Sequence, residues 1–469
     1  MEQLTALDAL SLKTERIATP QHITQVFIYD PSTTTTEVVR FKAILDHYRN
    51  RQDLSPIFRR KLVRVPLDLD NPYLVISDNV DFEYHIRHIA LPKPGDWRQL
   101  CILMSRLHSQ SIDTTRPMWQ VYVIEGLDNV EGFPKGAFAI LTKLHHAVAD
   151  GRAALEMLEA IHDPSPGLAD GPHEALSHES EPSTLRLLIK AGKNSALQPW
   201  KSTAKVSDII QSMRRKSSFR KQHGAANLKQ NEKTIFNHGI KSPHRVWGAG
   251  LFNIAEALTI KKKMPGATLN DVILCITSFA VERYLEKHEA NIKESLIAGV
   301  AVNTREISKH KSGQNHATGI AVSVYSNIKD PVKRLQAISS ETVLRKEQML
   351  HQGVDLMSDV LEAIPSQLLA LSFYSADRLN LLNEQNMGFH YMTTNIPGPR
   401  TPRYMVGAKV IAGFGMAPLL GTTGLTFVIT SYCDKLAISF TSVRDCVKDP
   451  DYLERCVYDA FDTVRDAVL

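Results

Sequence analysis

The segment from His145 to Gly151, HHAVADG, brings three polar groups together between two apolar segments. The preceding run, Ala137 to Leu144, has the composition of a buried strand, and Arg152 to Ile161 has the spacing of a helix. A neutral imidazole can take up a proton near pH 7, and an aspartate can orient that ring or anchor its loop. We therefore predict that this histidine loop supplies a general base.

Two other interpretations of the His-His-x-x-x-Asp pattern are open at this point. His146 and Asp150 could bind a metal ion, although the sequence offers no third ligand cluster beside them. They could also form a purely structural hydrogen-bonded pair. A base that deprotonates an incoming hydroxyl needs no serine or cysteine nucleophile, which is consistent with the absence of G-x-S-x-G from the chain.

The composition is that of a soluble globular protein. The chain has 469 residues, of which 43% are apolar and 22% charged, and 55 basic against 50 acidic residues give a formal charge of +5. These values exclude a disordered chain and a bundle of membrane-spanning helices. Val410 to Cys433 is uncharged, but its glycines and hydroxyl side chains predict two buried strands around a turn rather than a membrane helix.

The cysteines and the N-terminus bear on the cellular compartment. The five cysteines are scattered and form no C-x-x-C pair, so we expect neither a disulfide framework nor a zinc finger. Met1 to Thr19 lacks the basic-then-apolar order of an export signal. We therefore expect a cytoplasmic protein.

Short apolar runs alternate with helical patterns along the chain, which predicts a mixed α/β or α+β fold. The predicted strands are His22 to Tyr29, Tyr84 to Ala90, Trp119 to Ile124, Ala137 to Leu144, Ile297 to Val302 and Gly319 to Tyr325. The predicted helices are Glu37 to Tyr48, Arg152 to Ile161, a helix capped by Thr268 and Asp271, Pro331 to Lys346, Ser358 to Leu371, and a final helix opened by Asp449.

Changes in composition divide the chain into three parts. Residues 1–162 form a first lobe that carries the histidine loop, residues 163–245 a connector, and residues 246–469 a second lobe. The connector changes from an acidic loop to a basic stretch, Arg186 to Lys233, that has apolar residues at helical spacing. That stretch is either a solvated linker or an amphipathic helix on an anionic membrane surface. Nucleic acid explains the charge less well, because few aromatic residues accompany it.

Four short motifs follow one another along the chain: Pro117-Met118-Trp119, the histidine loop, Asn270-Asp271 at a helix start, and Asn395 to Pro399. Together they resemble the bacterial wax ester synthase/acyl-CoA:diacylglycerol acyltransferase family. That family belongs to the CoA-dependent acyltransferases related to chloramphenicol acetyltransferase. The similarity extends from Leu7 to Asp445, and Met118 stands where the family usually has leucine.

The resemblance implies two lobes of the chloramphenicol-acetyltransferase type with the active site in a tunnel between them. It implies that His146 is the general base, which deprotonates the hydroxyl of a fatty alcohol or a diacylglycerol as that oxygen attacks acyl-CoA. The acyl group would pass directly between the substrates, without a cofactor, a metal ion or an acyl-enzyme. Asn270 would donate to the oxyanion, or else serve only the start of its helix.

The remaining motif residues would shape the site. Asp150 would form an ion pair with Arg305, and His145 would support the loop. We expect the substrate-binding site to be lined by Pro117, Trp119, Gly151, Asp271, Asn395 and Pro397. Trp119 could equally belong to the core. Because two prolines flank a glycine, Asn395 to Pro399 is expected to form a rigid crossover or tunnel-wall loop rather than a central strand.

Acyl-CoA and a lipid alcohol are thus the expected partners, and both partition to membranes. We expect peripheral association with the inner membrane or with lipid bodies through the basic stretch. Two alternatives keep the fold and change the activity. One is a lipid-binding protein of membrane or lipid-droplet surfaces without catalysis, and the other is a condensation-type acyltransferase that uses carrier-protein thioesters.

Overall fold

The structure is a computed structural model that describes residues 1–34, 38–149, 151–167, 176–177, 179–224, 228, 232–288, 294–304, 317–379, 381 and 386–469. Its strands are β1 (Glu2–Gln3), β2 (His22–Asp30), β3 (Arg60–Val63), β4 (Tyr73–Ile76), β5 (Ile86–Ala90), β6 (Trp119–Glu125), β7 (Phe138–His145), β8 (Arg245–Asn253), β9 (Ile297–Asn303), β10 (Ala317–Ser323), β11 (Tyr391–Pro397), β12 (Tyr404–Met405), β13 (Ala408–Met416), β14 (Leu425–Tyr432) and β15 (Lys435–Val443). Its α-helices are α1 (Ala6–Thr14), α2 (Phe41–Asn50), α3 (Phe82–His85), α4 (Trp97–Ser109), α5 (Gly151–Ile161), α6 (Thr184–His223), α7 (Ile254–Lys263), α8 (Leu269–His288), α9 (Pro331–Gln352), α10 (Leu356–Ala363), α11 (Ser366–Arg378) and α12 (Pro450–Val468).

Two six-stranded sheets form the centres of two lobes, which confirms the predicted mixed α/β architecture. The first sheet has the strand order β12-β13-β2-β7-β6-β5, and the second has the order β10-β9-β11-β14-β15-β8. A small third sheet, β1-β4-β3, lies beside the first lobe. Helices cover the apolar face of each large sheet, because each sheet must bury that face against another layer.

The strand β13 crosses from the second half of the chain into the first lobe. It pairs antiparallel with β2, from Lys409 opposite Asp30 to Met416 opposite Thr24. The segment Val410 to Cys433 therefore contains two buried strands, as predicted, but they belong to different sheets. The sheets consequently do not follow the predicted boundary at residue 246, since β12 and β13 lie beyond it and complete the first sheet.

A glycine allows β13 to approach the second sheet. A Cβ on Gly415 would lie 2.5 Å from Cγ1 of Val428 on β14, closer than real carbon contacts allow. The indole N–H of Trp247 on β8 also donates to the Gly415 carbonyl (3.3 Å). The two sheets meet closely at this position because position 415 carries no side chain.

The prediction for Asn395 to Pro399 was wrong in one respect, since Asn395 to Pro397 belong to the inner strand β11. This strand runs parallel to β14 as far as Pro397, whereas its pairing with β9 covers only Tyr391 to Thr393. The N–H of Gly398 donates to the Ser431 carbonyl on β14, so the nitrogen of Pro397 faces the opposite side. Because β9 has already separated there, the missing N–H of Pro397 breaks no ladder hydrogen bond.

Most other predicted elements are present, with small changes at their ends. The predicted helix Ser358 to Leu371 is two helices, since α10 ends at Ala363 and Pro365 precedes α11. The predicted strand at Tyr84 begins later, at Ile86, because the carboxylate of Asp81 caps one helical turn before it.

The basic stretch of the connector is the 40-residue helix α6. It is packed on α10, where Lys205 contacts Asp359 (2.6 Å) and the Gln198 amide donates to the Glu362 carbonyl (2.9 Å). Its N-terminal half packs on the first lobe, where Leu187 and Ala191 contact Val65 and Tyr73. The helix is therefore no free linker. No helix among the described residues is both long and apolar enough to cross a membrane.

Aromatic side chains join the lobes beside the crossover strand. The ring of Trp97 on α4 lies 5.4 Å from that of Trp247 and 5.5 Å from that of Phe414, measured between centroids. The Trp97 indole N–H donates to the carboxylate of Glu454 on α12 (3.0 and 3.1 Å), and the N–H of Ala249 donates to the same group (3.3 Å). Burial raises the pKa of Glu454 above its ordinary value, although these two donors act in the other direction.

We expect Trp97→Phe to lower the free energy of unfolding by about 1–3 kcal/mol, because the substitution leaves the half-buried Glu454 carboxylate short of a donor. Denaturation in guanidinium chloride measures this loss. The matched control is Trp200→Phe, since Trp200 is 83% exposed and its substitution should change the stability by less than about 0.5 kcal/mol. Equal stability of the two variants would contradict the role assigned to the Trp97–Glu454 contact.

Candidate active site

The two histidines lie at the end of β7, which is buried along its whole length between β2 and β6. The N–H of His145 donates to the Met118 carbonyl (3.0 Å), and the N–H of His146 donates to the Gln21 carbonyl (2.9 Å). Both acceptors immediately precede a strand that pairs with β7. The hydrogen bonds of the sheet thus fix the backbone of both histidines and bring the Pro117-Met118-Trp119 motif beside them.

The first histidine supports the loop. The His145 ring is fully buried, and its Nδ1 accepts a hydrogen bond from the N–H of Ala147 (3.0 Å). Its Nε2 therefore carries the proton and faces Oε2 of Glu15 (3.2 Å). Because both ring nitrogens have partners within the protein, the contacts of His145 agree with the predicted supporting role.

The second histidine is accessible. His146 is half-buried, in contrast to its neighbours Leu144, His145 and Ala147, which are buried. His145 is the last residue of β7, whereas His146 is the first residue of the turn that follows the strand. Of the pair, His146 is the one that a substrate can reach.

The motifs Asn270-Asp271 and Asn395 to Pro399 meet through their asparagines. The Asn395 amide N–H, from β11, donates to Oδ1 of Asn270 at the start of α8 (2.6 Å). Both side chains are half-buried. This hydrogen bond engages the oxygen of Asn270 and not its N–H donors, so the amide nitrogen of Asn270 points away from Asn395.

The carboxylate of Asp271 stabilises the start of α8. Its Oδ2 accepts hydrogen bonds from the N–H and the hydroxyl of Thr268 (2.7 and 2.8 Å), and its Oδ1 accepts one from the hydroxyl of Thr342 on α9 (2.6 Å). These contacts confirm the predicted cap of α8. Asp271 is also fully buried, so its contacts hold the start of α8 in place and leave no carboxylate oxygen without a partner.

Three of the expected lining residues have other surroundings. Trp119 is fully buried, donates its indole N–H to the Phe58 carbonyl (3.0 Å) and stacks on His85, which matches the core interpretation. Pro117 is buried beside it, and Pro397 is exposed at the end of β11.

The expected ion pair of Asp150 with Arg305 lies outside the described residues. Gly151, the last residue of the histidine loop, begins α5.

Sequence reasoning missed two ionisable residues behind the loop. Lys143 is fully buried on β7, and its ammonium donates to the carbonyls of Leu107 and Gln110 at the C-terminal end of α4 (2.7 and 2.6 Å). Burial lowers the pKa of Lys143 to about 7. A lysine inside the apolar run FAILTKLH was a visible anomaly, whereas Glu15 lies 130 residues before His145 and gave no signal.

Buried hydroxyl groups line the face of the second sheet that meets the first lobe. Thr426 and Thr441 are directly opposite each other on β14 and β15, and Ser439 lies opposite Val428, the residue that contacts Gly415. The hydroxyl oxygens of these three residues have no hydrogen-bond partner among the described residues. Buried polar atoms are nearly always satisfied, so water or a polar ligand is expected between the lobes here.

Models of two protein domains match this chain. The wax ester synthase/diacylglycerol acyltransferase catalytic domain matches residues 4–273, and the C-terminal domain of the same family matches residues 313–465. The O-acyltransferase WSD of Acinetobacter baylyi is 26% identical over 458 residues, which cover 95% of this chain and 93% of the relative. A putative diacylglycerol O-acyltransferase of Mycobacterium tuberculosis is 26% identical over 452 residues, covering 96% and 87% of the two chains.

Solved structures support the fold. The wax ester synthase/diacylglycerol acyltransferase from Marinobacter aquaeolei superposes with a TM-score of 0.70 at 22% identity and covers 100% of both chains. The starter condensation domain of rhizomide synthetase, in complex with C8-CoA, superposes with a TM-score of 0.56 at 12% identity and covers 100% of this chain and 95% of that one. The two-lobed architecture is therefore shared with acyltransferases of this type, as the four motifs predicted. Because the catalytic-domain model alone matches more than half of the sequence, the chain belongs to the wax ester synthase/diacylglycerol acyltransferase family of acyl-CoA-dependent O-acyltransferases.

Proposed function

We propose that this protein transfers a long-chain acyl group from acyl-CoA directly to the hydroxyl of a lipid, either diacylglycerol or a long-chain fatty alcohol. The observation that carries the proposal is the difference in environment between the buried His145 and the half-buried His146. The His145 ring has partners on both nitrogens, while His146 is accessible and has its backbone fixed by Gln21. A general base needs this combination of access and a fixed position.

In the proposed mechanism neutral His146 takes the proton of the acceptor hydroxyl while the oxygen attacks the thioester carbonyl. The new C–O bond forms and the carbonyl oxygen becomes negatively charged. When the tetrahedral intermediate collapses, the C–S bond breaks and the proton on His146 passes to the leaving CoA sulfur. No covalent acyl-enzyme, metal ion or cofactor takes part.

Asn270 is the proposed donor to the oxyanion. Its amide oxygen is engaged by Asn395, which orients the amide N–H groups away from β11. An amide N–H held in place before the reaction stabilises developing negative charge without further reorganisation.

The hydroxyl groups of Thr426, Ser439 and Thr441 are the proposed polar lining of the substrate path. They lie between the lobes, where we propose the substrate tunnel that the family resemblance implies, and they lack partners among the described residues. Polar groups of the CoA arm or of the acceptor would satisfy them.

Peripheral attachment to an anionic membrane or a lipid body is proposed for α6 and α11, which we call the helical surface. The two helices are joined where Gln367 donates to the Ser195 hydroxyl (2.8 Å). Exposed apolar side chains on them are Leu185, Ile189, Leu197, Trp200, Val206, Ile210, Met213, Leu368, Leu371 and Tyr374. Basic residues on α6 are Arg186, Lys190, Lys193, Lys201, Lys205, Arg214, Arg215, Lys216, Arg220 and Lys221. Apolar and basic side chains together are the combination that binds to anionic lipid surfaces.

Replacing the proposed base tests the mechanism. We expect His146→Ala to lower the rate of thiol release from acyl-CoA, in the presence of diacylglycerol or a fatty alcohol, by about 10²- to 10⁴-fold. The side chain is only half-buried, so the variant should unfold at nearly the wild-type temperature. The control is His88→Ala, since His88 lies exposed on β5 and should leave the rate unchanged.

Wild-type turnover in His146→Ala would exclude His146 as the base. Lipid binding without thiol release by the wild-type protein would favour the non-catalytic lipid-binding alternative. Turnover that occurs only with carrier-protein thioesters would favour the condensation-type alternative.

The attachment of the helical surface can be measured by sedimentation with anionic vesicles. We expect binding that weakens at high salt, because screening shortens the reach of the basic charges, and that falls further in Trp200→Glu. The matched control is Leu258→Glu on α7, which is also exposed and lies outside the helical surface. Binding that is indifferent to salt and to Trp200→Glu would contradict the proposed attachment.

A further inference from the structure

Glu15, which directly follows α1, contacts two parts of the histidine loop. Its Oε2 faces Nε2 of His145 (3.2 Å), and its Oε1 accepts a hydrogen bond from the N–H of Gln21 (3.2 Å). The carbonyl of the same Gln21 accepts the N–H of His146 (2.9 Å). One carboxylate is therefore linked directly to the ring of the first histidine and, through one residue, to the backbone of the second.

The two contacts act on different properties of the loop. The carboxylate favours the tautomer of His145 that carries its proton on Nε2, and this leaves Nδ1 to accept the N–H of Ala147. The contact with Gln21 fixes the segment that provides the carbonyl for His146. Loss of the carboxylate would therefore release the loop at both histidines.

The carboxylate is poorly exposed, with 16% of the side-chain surface accessible. Burial alone would raise the pKa of Glu15, but the hydrogen bond from the neutral His145 ring, the Gln21 N–H and the charge of Arg64 together lower it below its ordinary value. The negative charge of Glu15 in turn raises the pKa of Lys143, which partly offsets the lowering of that pKa by burial. The group is thus ionised in the folded protein and accepts hydrogen bonds with both oxygens.

The segment from Glu15 to Gln21 is also held by the second lobe. Arg245, the first residue of β8, donates to the Ala18 carbonyl (2.6 Å). Arg16 pairs with Asp377 on α11 (2.6 Å). The segment between α1 and β2 is therefore fixed on one side to the second lobe and on the other side to the histidine loop.

We propose that Glu15 is a positioning residue for the acyl transfer, which acts by holding His145 in the Nε2–H tautomer and His146 in register with Gln21. The inference rests on the proposed role of His146 as the base. Both oxygens of Glu15 are engaged by protein groups, so its proposed action is through the histidines and not on the substrate. Glu15 fixes the position of the His146 imidazole, and a displacement of about 1 Å in a catalytic group can lower the rate by about 10²-fold.

The test compares Glu15→Ala and Glu15→Gln with the wild-type enzyme. We expect Glu15→Ala to lower kcat by about 10- to 100-fold, with KM for acyl-CoA changed by less than about 3-fold, because the substrates do not contact the carboxylate. Glu15→Gln keeps the length and one acceptor, so it should recover part of kcat. The matched control is Glu282→Gln, a carboxylate of similar exposure (12%) that pairs with Arg334 in the second lobe and should affect stability without affecting kcat.

A second measurement separates this inference from the proposed function. The ¹⁵N signals of the His145 ring, assigned by their absence in His145→Gln, report the tautomer without any turnover. We expect the Nε2–H tautomer in the wild-type protein and in Glu282→Gln, and a mixture of tautomers in Glu15→Ala. An unchanged His145 tautomer in folded Glu15→Ala, or a wild-type kcat in that variant, would overturn the inference. Absence of thiol release by the wild-type protein would refute the proposed function, and the tautomer would still decide the role of Glu15.

Discussion

Backbone hydrogen bonds at the last residue of β7 and at the residue after it hold the two histidines in place. His145 is bound to the Met118 carbonyl and His146 to the Gln21 carbonyl, and both acceptors stand just before a neighbouring strand. The register of β2, β7 and β6 therefore determines where the imidazoles lie. A shift of one residue in this register would separate both histidines from these acceptors.

The second lobe contributes to the same arrangement through the crossover strand and through the segment after α1. Strand β13 pairs with β2 in the first sheet. It also packs closely on β14, because Gly415 has no side chain that would clash with Val428. Arg245 reaches the Ala18 carbonyl from β8. The position of the histidine loop thus depends on both lobes, which is the arrangement expected of an active site at their interface.

The sequence predicted those features that are decided locally. The alternation of apolar residues located β2, β6 and β7 to within one residue, and Thr268 with Asp271 correctly predicted the cap of α8. The inner strand at Asn395 to Pro397 was missed, because its proline is tolerated only where β9 has separated from β11. Glu15 was missed for a similar reason, since only the folded chain brings it to His145. Contacts of this kind are decided by tertiary packing, and residue spacing carries no record of them.

Direct transfer of the acyl group from acyl-CoA to the acceptor hydroxyl is tested most directly by a single-turnover experiment. Enzyme and acyl-CoA are mixed in equal amounts without an acceptor, and the released thiol and the mass of the intact protein are followed over time. We expect no burst of thiol and no increase in protein mass until diacylglycerol or a fatty alcohol is added, because in direct transfer the acyl group leaves CoA only when a hydroxyl attacks it. A burst of one equivalent of thiol, with the protein heavier by one acyl group, would contradict direct transfer.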